Sequence, residues 1–341
     1  MKIGARDIGP GHVPYVIAEI GVNHDGSVER GLELIDAAAH AGADAVKLQF
    51  FRAELLMSKA SRLARYQRHA GESDPFAMLK RLELTAEQLT HLVFRAHQKG
   101  VHAIVSVFSL DLVPEAGAMN WDAFKTASPD IVHKPLLDAL AARGKPLIIS
   151  TGASSLEEVA RASGWLRKQE VAFLQCVSSY PTPEDHAAVG AIADLAKAIK
   201  RVVGYSDHTT RVETAAVAVG AGASILEKHL TLSRLSPGPD HAASLEPAGF
   251  AEYVRLAQLA HRLVGDGRKR ILDPEHDVRE ASRQSIVAAR NIPRGRMIDP
   301  SDLTAKRPGT GLPPYMLNEI AGRVAARDIE ADMPIRKEDL L

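Results

Sequence analysis

Residues 15–50 read YVIAEIGVNHDGSVERGLELIDAAAHAGADAVKLQF, and their pattern decides the fold. Tyr15 to Gly21 is a short apolar run, Val28 to Ala41 repeats apolar residues at helical spacing, and Asp44 to Phe50 returns to a strand-like run. That is a strand, helix, strand beat. It continues through VHAIVSVF from Val101, WDAFKTAS from Trp121, PLIIST from Pro146, VAFLQC from Val171, RVVGYS from Arg201 and SILEKH from Ser224. Between these runs, Ala86 to Lys99 sets Leu89, Leu92, Val93 and Ala96 on one stripe and stops at Gly100. Further helices are expected near Ile131–Ala142, Leu156–Leu166, Ala187–Ile199, Glu213–Ala221 and Pro247–Val264. Eight such units argue an α/β fold closed as a (β/α)8 TIM barrel, whose catalytic candidates lie at the C-terminal ends of the strands. No internal repeat beyond this alternation is read.

A barrel of this kind takes about 250 residues, so a chain of 341 residues leaves room for a small module. The barrel is expected over 1–265. The charged stretch 266–283 reads as a linker, and 284–341, with SIVAAR from Ser285 and VAARDIEADMPI from Val324, reads as an irregular β-rich module. Lys plus Arg equals Asp plus Glu at 42 each, so no net field draws the chain to nucleic acid or an anionic membrane. Any anion site must be local. Cys176 is the single cysteine, which excludes an intrachain disulfide and fits a reducing compartment. No signal-like start and no spanning apolar run is read, so a cytoplasmic protein is expected.

Placed on this barrel, Glu19, Lys47, Gln49, Ser106, Lys125, Ser128, Tyr180, Ser206, Asp207, His208, Glu227 and His229 fall at or just beyond strand ends. Lysines at strands two, four and eight are costly together unless an anion or carboxylates neutralise them. Lys228 alternates with Glu227 and His229 and is expected to point outward. Lys47 and Lys125, helped by the hydroxyls of Ser106, Ser128 and Ser206, suit a small ligand bearing phosphate and carboxylate. Any one such lysine alone is by ordinary usage a solvated residue. His208 and His229 end neighbouring strands, and two neutral imidazoles with an open coordination sphere suit a borderline divalent ion such as manganese, iron or zinc. Either histidine alone reads as a packed residue. Glu19 suits general acid or base work, with a salt bridge to Lys47 or Lys125 as the alternative. Cys176, among apolar neighbours, reads as a small buried side chain rather than a third ligand. Ser236-Pro-Gly-Pro-Asp-His reads as a loop over the mouth, with Asp240 as its substrate contact.

These segments resemble the bacterial sialic acid synthases, in which a barrel is joined to an antifreeze-protein-like (SAF) domain. The resemblance rests on AEIGVNHDGS, GADAVKLQ, FKTAS, KPLIISTG, YPTPED, GYSDHT, EKHLT, PGPDHAASLEP and KRPGTGL, in order along nearly the whole chain. It implies condensation of phosphoenolpyruvate with an N-acetylmannosamine-type sugar, giving a nine-carbon 2-keto acid and phosphate. It further implies that His208 and His229 hold a divalent metal, commonly manganese, with magnesium, cobalt or iron as alternatives. Lys47, Lys125, Ser128 and Ser206 would contact phosphoenolpyruvate, and Glu19 would handle protons. Asp207 and Glu227 would orient ligands or sugar hydroxyls, and Gln49, Tyr180 and Asp240 would meet the sugar. Arg307 of KRPG would reach the sugar from a partner chain in a domain-swapped homodimer.

Three departures from the family pattern stand out: Ser106 where a threonine is usual, Pro129-Asp130 after the strand-four serine, and Ser178 before the YPTP motif. The PGPDH loop is closer to sialic and legionaminic than to pseudaminic acid synthases, which favours a manno-configured sugar. The rival readings are another phosphoenolpyruvate-dependent 3-deoxy-ketoacid synthase, a Schiff-base aldolase using Lys125, and a non-enzymatic SAF protein that binds sugar or ice.

Overall fold

Side chains on a strand alternate between its two faces, and in this protein that alternation separates a barrel interior from a helical jacket. The computed structural model describes all 341 residues. Its strands β1 (Tyr15–Glu19), β2 (Ala45–Phe50), β3 (His102–Val107), β4 (Ala123–Thr126), β5 (Leu147–Ser150), β6 (Val171–Cys176), β7 (Val202–Asp207) and β8 (Ile225–His229) pair in parallel, and β8 closes on β1. Every strand-like run of the sequence coincides with one of them, β7 extending one residue past its run to Asp207. Inward residues of the lower layers, among them Tyr15, Ile17, Ala45, Ile104, Ala123, Ile148, Ala172 and Ile225, form an apolar plug. Ile3 and Ile8, flanking and within the N-terminal hairpin region, join that plug and close the end of the barrel away from the strand C-termini.

Outward residues such as Val16, Val46, Leu48, Val105, Phe124, Ile149, Phe173 and Leu226 meet the helices in a second, larger core. The helices start where their caps dictate. Ser27 accepts from the backbone of Arg30 to open Val28–His40, and Thr85 with Gln88, and Ser155 with Glu158, form reciprocal capping boxes for Ala86–Gln98 and Leu156–Trp165. The helix expected from Ile131 differs: a 3₁₀ turn spans Ser128–Val132, and the α-helix is Lys134–Ala141, with Pro135 in its first turn.

Met1–Asp266 and Gly267–Leu341 are two compact units. The stretch expected as a linker belongs to the second unit and contains a short helix, His276–Ser282. In that unit, β9 (Ser285–Ala288) pairs antiparallel with β10 (Leu303–Lys306), over a core of Ile286, Ile292, Ile298, Ile320, Ala325, Ile329 and Ile335.

The second unit also corrects the reading that no further repeat exists. VAARNIPRGRMIDPSDL from Val287 and VAARDIEADMPIRKEDL from Val324 are equivalent segments. Gly295 and Asp332 occupy matching left-handed positions. Asp302 and Asp339 are both buried, each accepts from the backbone three residues earlier, and each pairs with the arginine that follows its Val-Ala-Ala, Arg290 and Arg327. Ile292 bridges Ile329, the equivalent residue of the other copy. The copies share Val-Ala-Ala-Arg, the isoleucine pairs Ile292 and Ile329 and Ile298 and Ile335, and the closing Asp-Leu, and differ mainly in the turns between them.

Candidate active site

The upper layer of the barrel interior is polar. Register places His229 beside Glu19, Glu19 beside Lys47, Gln49 beside Ser106, Ser106 beside Lys125, and Ser206 beside Glu227. The side chains close into one network. The Lys47 ammonium pairs with the Glu19 carboxylate, donates to Ser106 Oγ at 3.1 Å and lies 3.7 Å from Glu227 Oε1. Lys125 lies 3.9 Å from the same Glu227 oxygen and donates to the Thr126 carbonyl at 2.9 Å and to Ser150 Oγ. Ser206 donates to Glu227 at 3.0 Å, and Gln49 donates to Glu19 at 3.2 Å. Glycine at 21 is required here, because a Cβ would collide with Glu19 and Gln49.

Burial sets the protonation of this network. It pulls Lys47 down, but the carboxylates of Glu19 and Glu227 outweigh it and hold the ammonium up. Lys125 is lowered, by burial first and by Lys47, against the pull of Glu227. Burial raises Glu19, opposed by Lys47, whereas the two lysines and Ser206 overcome burial and keep Glu227 low. Glu227 is therefore the fixed anion, and Glu19 is the carboxyl able to exchange a proton. The Glu227 Oε2 atom has no hydrogen-bond partner although it is buried, an acceptor left for a ligand.

Above this layer the imidazoles of His208 and His229 lie with ring centroids 5.6 Å apart. Burial lowers His208 to about 4 and His229 further, the latter helped by the charges of His208 and Lys47, so both rings are neutral. His208 Nδ1 lies 2.7 Å from the Val177 carbonyl. A carbonyl only accepts, so Nδ1 carries the proton and Nε2 presents a lone pair. His229 Nδ1 is buried without a hydrogen bond, and Asp240 Oδ2 stands 3.6 Å from it. Burial, and then the charge of Glu19, push the Asp240 carboxyl up to about 7. No three histidine, cysteine or carboxylate side chains converge into a closed metal cage. The donor set fits a divalent ion held by two imidazoles with its remaining positions left to oxygen ligands.

Tyr180 covers this pair. Its ring centroid is 4.1 Å from that of His208 and 5.9 Å from that of His229. Ser128 Oγ accepts from the backbone of Gly152 at 2.9 Å and lies 3.2 Å from Cys176 Sγ, so the buried cysteine borders the site. Asn23, at the loop after β1, uses its amide nitrogen on the Leu230 carbonyl and Ser244, tying that loop to the chain beyond β8. Arg307 belongs to the second unit, where it is exposed.

Asp207 requires correction as a ligand-orienting group. Between inward Ser206 and His208, it points out of the barrel, where it pairs with Lys228 at 2.9 Å and accepts from Thr209 N and the Thr214 hydroxyl. Lys228 does point outward, yet it is fully buried under the ring of Tyr253, with its ammonium donating to the Thr209 carbonyl at 2.6 Å. The pair joins register partners on β7 and β8 and clamps the turn that carries His208. Two site residues were not read from the sequence. Ser150 was recoverable by counting two residues from inward Ile148, and Tyr66 lies in the unusually long connection between β2 and the next helix.

Comparison with known proteins places these features in a family. The NeuB family model matches residues 34–269, and a SAF domain model matches 283–341. The chain belongs to the NeuB family and ends in a SAF domain. It is 38% identical to an uncharacterized protein of Methanocaldococcus jannaschii over 100% of this chain and 98% of the relative. It is 34% identical to the N,N'-diacetyllegionaminic acid synthase of Legionella pneumophila over 96% of this chain and 95% of that enzyme. Among solved structures, the N-acetylneuraminic acid (sialic acid) synthetase of Leptospira borgpetersenii, in complex with citrate, superposes with a TM-score of 0.75 at 30% identity, over 82% of this chain and 94% of the other.

Lys228→Met strands the Asp207 charge and should cost about 3–5 kcal/mol in urea unfolding, whereas Asp207→Asn with Lys228→Met should recover much of that. A loss in the double variant equal to the sum of the two single-variant losses would show that the two groups are not coupled. Asp130, which accepts from the backbone of Ala127, is pushed up to about 6 by burial, against that hydrogen bond and the charges of His133 and Lys125. A folded pKa above the unfolded one gives stability that is full below pH 4 and lost as pH rises through 6. Relative to the parent, Asp130→Asn should therefore gain on the order of 1–2 kcal/mol between pH 4 and 7, after discounting for partial exposure. Thermal melts across that range check it, and a difference independent of pH would refute it.

Proposed function

We propose that this chain is a nonulosonic acid synthase, condensing phosphoenolpyruvate with an open-chain N-acylated aldose of manno configuration to give a nine-carbon 2-keto acid and phosphate. The observation that carries this reading is the pairing of two buried lysines with two carboxylates directly beneath two neutral histidines, at one barrel mouth. Similarity to a named N,N'-diacetyllegionaminic acid synthase along nearly the full chain supports the same chemistry, and the PGPDH loop supports the manno preference.

Lys47 and Lys125, with Ser106, Ser128 and Ser206, bind the carboxylate and phosphate of phosphoenolpyruvate and exclude water from them. Gln49, Tyr180 and Asp240 hold the aldose with its aldehyde facing the alkene. A bond forms between the third carbon of phosphoenolpyruvate and the aldehyde carbon as water adds to the second carbon, and the proton the water loses passes through Glu19 to the aldehyde oxygen, which becomes a hydroxyl. The tetrahedral intermediate then collapses: its carbon to phosphate-oxygen bond breaks, its hydroxyl on the second carbon becomes the keto group, and the departing phosphate takes the proton of that hydroxyl. Glu227 remains ionised throughout and balances the lysines. His208 and His229 would hold a divalent ion, manganese in the first instance, with magnesium, cobalt or iron as alternatives, and when bound it would polarise the aldehyde. Arg307, supplied by the SAF domain of a second copy in a domain-swapped homodimer, would complete the sugar site.

The lowered pKa of Lys125 also suits a Schiff-base aldolase. In that case borohydride with pyruvate would inactivate the protein covalently, whereas a synthase survives the treatment.

Incubation with phosphoenolpyruvate, manganese and a panel of N-acylated hexosamines, followed by phosphate assay and product mass, tests the proposal. Turnover is expected with a manno-configured sugar and should be lost on chelation. His208→Ala and His229→Ala should each reduce it at least about a thousandfold with the thermal melt retained. Absence of phosphate release with every aldose would end the synthase reading, and full activity in either histidine variant would end the metal assignment.

A further inference from the structure

The connection from β2 to the helix Ala86–Gln98 runs through residues 51–85, far longer than the two to six residues such a link needs. It is not a loose loop. Phe51, Leu63, Met78 and Leu82 bury themselves with Val22 in a satellite core of their own. The Arg52 guanidinium donates to the Leu84 carbonyl at 2.8 Å, and the Glu83 carboxylate accepts from the Ala53 backbone at 2.6 Å, so the two ends of the excursion are stapled together.

Within it the five-residue helix Arg65–His69 exposes most of its residues, while Tyr66 turns inward and is half-buried. Its ring centroid lies 4.8 Å from that of Tyr180 at an interplanar angle of 32°, and Tyr180 in turn lies on His208. An aromatic wall therefore runs continuously from the histidine pair out to this excursion. Burial, and next the charge of Asp240, raise the Tyr66 phenol above its usual range and keep it neutral.

Most of the mouth is charged or hydroxylic, as the phosphate and carboxylate of one substrate require. The other substrate is different: an N-acylated sugar carries an acyl methyl and C–H edges that gain nothing from lysines or carboxylates. A rigid, amphipathic tyrosine is suited to such a group, because it offers apolar area at little entropic cost. We infer that Tyr66 is a specificity-determining residue whose ring, stacked on Tyr180, packs against the N-acyl group of the aldose and limits the size of acyl chain accepted. This rests on the synthase reading above and adds to it the element that reads the amide substituent.

The test compares parent, Tyr66→Phe and Tyr66→Ala in steady-state kinetics with manganese and phosphoenolpyruvate, using the N-acetyl, N-propanoyl and N-butanoyl forms of whichever hexosamine the parent turns over. Tyr66→Ala should raise the KM for the N-acetyl sugar about tenfold and shift the kcat/KM ratio toward the longer acyl chains by about tenfold, as removal of an apolar wall allows. The KM for phosphoenolpyruvate should change less than about twofold, a control that a general loss of fold would not pass. Tyr66→Phe, which keeps the ring, should restore the preference for the N-acetyl form. An active parent whose Tyr66→Ala variant shows an unchanged acyl preference, or an equal rise in both KM values, overturns the role of Tyr66 and leaves the synthase reading standing. A parent that consumes no aldose overturns both.

Discussion

Two ammonium groups buried at one end of a barrel cannot be tolerated unless the same layer supplies negative charge, and that constraint organises the upper half of the first unit. Lys47 and Lys125 are nearly inaccessible to solvent, and Glu19 and Glu227 stand between and beside them. Removing an ion from water costs several kcal/mol even after relaxation, so each lysine depends on its carboxylates and on Ser106, Ser150 and the Thr126 carbonyl. Parallel register is the device that delivers them, because a slip by one residue on β2, for example, would exchange inward Lys47 for outward Val46 or Leu48.

The same alternation builds a second charge pair on the opposite face. Asp207 and Lys228 each flank a histidine in sequence, so they must point away from the axis when the histidines point toward it. They meet under Tyr253, bonded to the turn that carries His208. The inner network and the outer pair are thus two faces of one stretch of β7 and β8, and the outer one fixes the strand ends on which the inner one depends.

Much of this was legible in the sequence because it follows from period two and strand order. The eight strands, the convergence of Glu19, Lys47, Lys125, Glu227, His208 and His229, and the outward turn of Lys228 all come from counting along runs such as GYSD and ILEKH. Asp207 was misassigned because its place at a strand end in the GYSDHT motif, with the role the family resemblance implies, was weighed above its parity, which is the stronger constraint. Tyr66 was invisible for a different reason. Its segment has no strand or long-helix period, and its position depends on a satellite core formed by residues as distant as Val22 and Leu82. The twofold repeat of the second unit is carried by short identical pieces, Val-Ala-Ala-Arg, two isoleucines and Asp-Leu, separated by turns of different sequence, a pattern with neither strand nor helix period.

Charge balance also bears on what can enter the mouth. As it stands, the lysines of the inner layer are matched by the carboxylates of the same layer, so an anionic ligand brings uncompensated negative charge into a region of low dielectric. Phosphoenolpyruvate carries both a carboxylate and a phosphate. Two adjustments within reach of this chain would restore balance: protonation of Glu19, whose pKa burial already raises, and a cation held above the layer. The neutral state of both histidines is consistent with the second, since a pair of imidazolium ions would already supply the charge and would have no lone pair to offer. The inner layer is thus better matched to taking up substrate and cation together than to binding the anion alone. In the proposed reaction that coupling would ensure that the aldehyde meets its polarising ion only when the alkene is already in place.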